Sequence, residues 1–121
     1  MKLLPQEIEV RYIIPSLRKG LSKEFQSQGH KQKDIAALLE LTPAAVSQYL
    51  KDKRGTLQFG LEVQKEIKIS SKKIIKNPDA LKEEMYRLTE VIKKSGAICQ
   101  IHKKYDKVPA HCDLCFYHGN N

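Results

Sequence analysis

Nowhere in its 121 residues does this chain carry an apolar run long enough to span a bilayer. A signal-peptide layout is missing too: the opening MKLLPQEIEV is too charged for an apolar h-region, so the expected location is the cytoplasm and no membrane partner is expected. Cysteine is scarce. Three cysteines in such a chain argue against a disulfide framework and for metal or redox chemistry. No glycine-rich loop or acidic partner surrounds the Cys99–His102 pair, so nucleophilic catalysis has no supporting set and an enzyme is not expected. Acidic residues are also in deficit. Lys and Arg number 22 against 14 Asp and Glu, a net charge of +8 that calls for a polyanionic partner, nucleic acid first and a membrane surface second.

The length allows one compact domain and a short appendage, and the pattern is all-α. Pro5 suits a first helical turn before Ile8, Val10 and Ile13, while Pro15 either kinks that helix or starts another containing Leu17, Leu21 and Phe25. Gly29 ends it. Residues Gln32 to Leu50, QKDIAALLELTPAAVSQYL, then hold two short amphipathic segments around a break that fits only a sharp helix-to-helix turn. Ile35, Ala36, Leu38 and Leu39 form the first stripe, Val46 and Leu50 the second. Ala36 suits the closest approach of the two helices, where a larger side chain would force them apart. Thr42 is a good N-cap and Pro43 a good first helical residue, since proline lacks an N–H that would be orphaned there.

This pattern, continuing through LTPAAVSQYLKDKRG, resembles the helix-turn-helix of the phage-repressor (Cro and cI, XRE) class. The resemblance runs from the N-terminal helix to Gly55, about half of the chain, and departs from the class at Glu40, where glycine is common. The whole layout, with cysteines in a C-terminal tail, also resembles predicted archaeal transcriptional regulators. Membership would imply that the second helix enters the major groove of double-stranded DNA. Ala44, Ser47 and Gln48 would then read bases: Gln48 by a bidentate contact with adenine, Ser47 with several bases, Ala44 with a thymine methyl. Phosphates would fall to Lys31, Gln32, Lys33, Thr42, Tyr49, Lys51, Lys53 and Arg54. The basic run before Gly55 also favours the helix C-terminal dipole, and it equally fits a solvated turn.

Beyond the motif, Leu57 and Phe59 are available to close the far side of a small core. Val63, Ile67 and Ile74 make a helical stripe on a lysine-rich background from Glu62 to Lys76, although Ile67 to Ile69 also reads as period-two strand. Asn77 and Pro78 open a last helix, with Asp79, Glu83 and Glu84 near its start and Lys93 and Lys94 near its end, each sign matching the dipole. Leu81, Met85, Leu88 and Ile92 line one face of it. That stripe needs a partner, either the chain's own N-terminal domain or a second copy in a homodimer. The second is favoured because the class commonly reads paired half-sites.

The tail repeats a two-residue gap, Cys99 to His102 and Cys112 to Cys115, and two such pairs supply four metal ligands. His111, His118 or a ligand from outside the chain are alternatives to His102 as the fourth. An iron-sulfur cluster and zinc both fit; the cluster is narrowly preferred because the resemblance is to regulators with sensing tails. The expected organisation is a DNA-binding domain over residues 1–60, connecting and dimerisation helices over 61–96, and a metal-binding tail over 97–121. The expected function is a sequence-specific transcriptional regulator with a centre suited to sensing redox state or iron supply. The rival is a metal- or redox-handling accessory protein that uses the helix pair for protein contacts.

Overall fold

The computed structural model describes residues 4–51 and 59–95, and among them all regular structure is helical. The first helix, α1 (Pro5–Ile8), continues through one π-helical turn (Glu9–Ile13) into α2 (Ile14–Ser27). Pro15 accounts for the widened turn. Its ring has no N–H to donate and crowds the carbonyl four residues back, at Arg11, so the ladder loosens just before it. The looser turn also moves Val10 off the inward face, leaving it 65% exposed.

Around α2 the rest of the molecule is assembled. Ile13, Leu17, Leu21 and Phe25, spaced by four, are all fully buried, and α2 packs against each of the later α-helices. Its end is a Schellman turn. Gly29 takes a left-handed φ of 95°, the His30 N–H donates to the Phe25 carbonyl at 3.1 Å, and the His30 ring stands edge-on to Phe25.

Next come α3 (Gln32–Leu39) and α4 (Pro43–Leu50), separated by three residues. The end of α3 repeats the same motif with Glu40 as the left-handed residue, φ 55°: the Leu41 N–H donates to the Ala36 carbonyl at 2.9 Å and the Glu40 N–H to that of Ala37. Ile35, Ala36, Leu39 and Val46 enter the core, with Leu38, Leu41 and Leu50 packed at its margin.

The last two helices are α5 (Leu61–Lys76) and α6 (Leu81–Lys94), linked by a 3-10 turn (Pro78–Ala80) whose first N–H, that of Asp79, donates to the Asn77 side chain at 3.3 Å. The strand alternative at Ile67 to Ile69 is not adopted: all three residues lie inside α5. Gly20 lets α5 approach α2, since a Cβ there would stand 3.0 Å from Ile67 Cδ1. Phe59 is half-buried against the same core, in the place expected of it. Leu57 lies outside the described residues.

The homodimer expectation for α6 needs correction. Leu81, Leu88 and Ile92 are 8%, 0% and 0% exposed in a single chain, and Met85 is half-buried beside them. They share one continuous core with Leu17, Phe25, Ile35 and Val46. A stripe already covered by its own chain, save for part of Met85, has little apolar area left to offer a second copy. No described helix is long and apolar enough to cross a membrane.

Candidate nucleic-acid interface

At the start of α4, Thr42 is extended, and its Oγ1 accepts from the Ala45 N–H at 3.1 Å, as expected of an N-cap followed by proline. Gln32, the first residue of α3, reaches across: its Nε2 donates to the Pro43 carbonyl at 2.7 Å. That bond ties the beginnings of the two helices together. It brings Lys31, Gln32 and Lys33, all exposed, to the end of α4 that carries the exposed Thr42, Pro43 and Ala44. Gln32 therefore has a positioning task, and its Oε1 is the atom left over.

Val46 is fully buried, which turns the opposite side of α4 outward. Ala44 is exposed, while Ser47 and Gln48 are partly exposed. Gln48 makes no hydrogen bond among the described residues, which leaves both its amide donor and its acceptor open. Lys51, exposed, closes the far end of the helix.

Tyr49 is where the expectation fails. At 3% exposure it is a packing residue and does not present the outward face needed for a phosphate contact. The eight-residue helix explains why: Val46, Tyr49 and Leu50 follow at spacings of three and four, so Tyr49 belongs to the inward stripe. Lys53 and Arg54 lie outside the described residues, as do Cys99, His102, Cys112 and Cys115. Among the described residues, no group of three or more His, Cys, Asp or Glu side chains is placed to hold a metal.

Sequence reading missed a polar clasp between α5 and α6. Ser70 Oγ donates to Glu84 Oε1 at 2.8 Å, and Glu84 is only 7% exposed. Arg87 completes it, with Nε donating to Glu84 at 3.2 Å, Nη2 to Ser70 Oγ at 2.7 Å, and Nη1 to the Glu66 carboxylate. Burial alone lowers the Arg87 pKa, but the hydrogen bonds and charges of Glu66 and Glu84 outweigh it and hold the guanidinium above its ordinary value. A signal for the clasp was present. Glu84 stands at spacings of three and four from Leu81 and Leu88, and Ser70 likewise from Ile67 and Ile74, so each helix carries a polar residue within its apolar stripe.

Comparison with family models, with curated proteins and with solved structures finds no match for this chain. The meaning of the α3–α4 pair is therefore carried by its own residues.

Proposed function

We propose that the chain is a sequence-specific DNA-binding regulator of helix-turn-helix type, with α4 as the helix that enters the major groove. One observation carries this reading: α4 presents Ala44, Ser47 and an uncommitted Gln48 amide away from its buried Val46 and Tyr49. The start of α3, fixed to that end by Gln32, adds the cations Lys31 and Lys33 where phosphates would flank the groove. Thr42, although its oxygen caps the helix, keeps a hydroxyl proton to donate to phosphate. Lys51, Lys53 and Arg54 continue the basic run. Pairing of two subunits, in this reading, draws on surfaces other than the buried α6 stripe.

The tail belongs to the same proposal. Cys99, His102, Cys112 and Cys115 would hold an iron-sulfur cluster or zinc, on the strength of their paired two-residue spacing. Such a centre would order the tail and so alter DNA affinity without touching base choice. Metal analysis and an absorption spectrum of protein purified without air decide between cluster, zinc and no metal.

The test of the interface is Gln48→Ala against a duplex selected from a random library. Discrimination at one base pair is expected to fall by roughly 1 to 3 kcal/mol while affinity for unrelated sequence holds. Unchanged discrimination would remove α4 as the reading helix.

A further inference from the structure

One face of α5 has no role in the core and an unusual charge. Val63, Ile67 and Ile74 point inward, and on the opposite side Lys65, Lys68, Lys72 and Lys76 follow one another at spacings of three, four and four, all exposed. Four ammonium groups thus share a single ridge about 16 Å long. None of the four takes part in an ion pair among the described residues. Glu66, one of the two acids in α5, is held by Arg87 on another side of the helix, and Glu62 lies at the helix start.

Fold stability does not account for the ridge. Each like-charged neighbour at these spacings disfavours the helix by a few tenths of a kcal/mol. The helix dipole rewards Lys73 and Lys76 in the last turn, but the benefit does not reach Lys65 or Lys68. Local energetics would accept neutral residues there at least as well.

We propose that this outer face of α5 is a second, sequence-independent contact for the phosphate backbone of duplex nucleic acid. Successive phosphates of one duplex strand rise about 3.4 Å along the axis, so the ridge is long enough to reach several of them. A helix that lies on a membrane sinks its apolar face among the lipid chains. In α5 that face is already taken up by the core, and the exposed side adds to its lysines only Leu61 and Ile69 as large apolar residues. The charge therefore fits a phosphate backbone better than a lipid surface. Because α4 and α5 both pack on α2, base reading and this contact would occupy different faces of one body. The identity of the polyanion rests on the DNA-binding reading, but the geometry of the ridge is independent of α4.

The experiment uses the full chain with all four ridge lysines changed to Gln, beside a Lys→Arg counterpart, binding a random-sequence duplex between 50 and 200 mM salt. For the Gln variant the slope of log affinity against log salt is expected to flatten by roughly 0.9 for each phosphate no longer neutralised, up to about 3 to 4, with the Arg variant retaining the native slope. Circular dichroism and melting are expected to show both variants folded. A native slope in the Gln variant, or an equal loss in the folded Arg variant, overturns the proposal. So does lysine-dependent binding to phosphatidylserine vesicles by a chain that ignores duplexes. The affinity ratio between selected and random duplex, measured with Gln48→Ala, separates the two readings. Lysine-dependent binding without base preference removes α4 and keeps the ridge; base preference with a lysine-indifferent slope does the reverse.

Discussion

Between α3 and α4 the packing is made by Ile35, Ala36, Leu39 and Val46, small or aliphatic, with every strongly polar side chain left outside. Between α5 and α6 the apolar core is joined by Glu66, Ser70, Glu84 and Arg87, which satisfy one another. The two pairs rest on the same central helix and the same core, yet one links its polar side chains into a partly buried network, while the other spends Gln32 and Thr42 on exposed backbone contacts and leaves Gln48 without a partner among the described residues. A committed guanidinium with three partners is an element of structure. An amide such as that of Gln48, partly exposed and without a hydrogen-bond partner among the described residues, is open to the recognition role proposed for it. Searching this chain for polar residues alone would find both; only the hydrogen-bond partners sort them.

The largest effect is expected from a charge placed in the core that both pairs share. Leu88→Asp buries an unpaired carboxylate at a site with no exposure and deletes a full side chain, so a loss on the order of 5 kcal/mol is expected, enough to abolish folding of a domain this size. Circular dichroism should show helicity lost throughout, in α3 and α4 as well as α6. Retained helicity, with a changed sedimentation coefficient alone, would overturn the assignment of α6 to its own chain's core.

A smaller effect is expected at the clasp. Arg87→Ala leaves the nearly buried Glu84 with Ser70 as its remaining partner and uncouples Glu66. Because Arg87 is itself about one-third exposed, with a relative side-chain accessibility of 32%, solvent screening reduces the cost to about 2 kcal/mol. Urea denaturation reads it directly. A cycle with Glu84→Gln should show the two changes to be non-additive, since they remove the same interaction. The raised pKa gives no alkaline signature in ordinary buffers: stability from a raised base is lost only as pH passes its folded value, which for Arg87 lies above the already strongly alkaline range of a guanidinium.

Much of this arrangement was legible in the sequence because the apolar periodicity is strong. The stripes of α2, α3 and α5, the Thr42 cap and the Pro43 start can each be read from residue spacing, and the structure carries them. What a stripe packs against was not legible. Leu81, Leu88 and Ile92 have the same spacing whether the partner is a second chain or α2 and α5, since periodicity gives a face and not its occupant. Tyr49 failed for a related reason: the resemblance implied an outward phosphate contact, but its position three residues after Val46 fixed it inward. The lysines of α5 stand in the sequence as a background to the Val63, Ile67 and Ile74 stripe, and their alignment on one opposite ridge follows once the strand alternative at Ile67 to Ile69 is removed.

On the smallest scale the contrast lies between two turns of one design. The turns after α2 and after α3 share the same backbone bonds and a left-handed residue at the same place, Gly29 in one and Glu40 in the other. Glycine adopts that φ without penalty, whereas a residue with a Cβ carries about 1 kcal/mol of strain. The Glu40 carboxylate has no ion pair among the described residues to offset it, although Arg18 and Lys82 line the same shallow groove. Glu40→Gly is therefore expected to stabilise the chain by about 0.5 to 1 kcal/mol, a little below the strain relieved because glycine also loosens the unfolded state. Gly29→Ala should destabilise by a similar amount through strain alone, since a Cβ there meets nothing within 4 Å. Thermal melts of the two variants with the native chain make the check. Opposite shifts of comparable size support the shared geometry. A Glu40→Gly variant that melts lower would instead assign the carboxylate a stabilising interaction with Arg18 or Lys82.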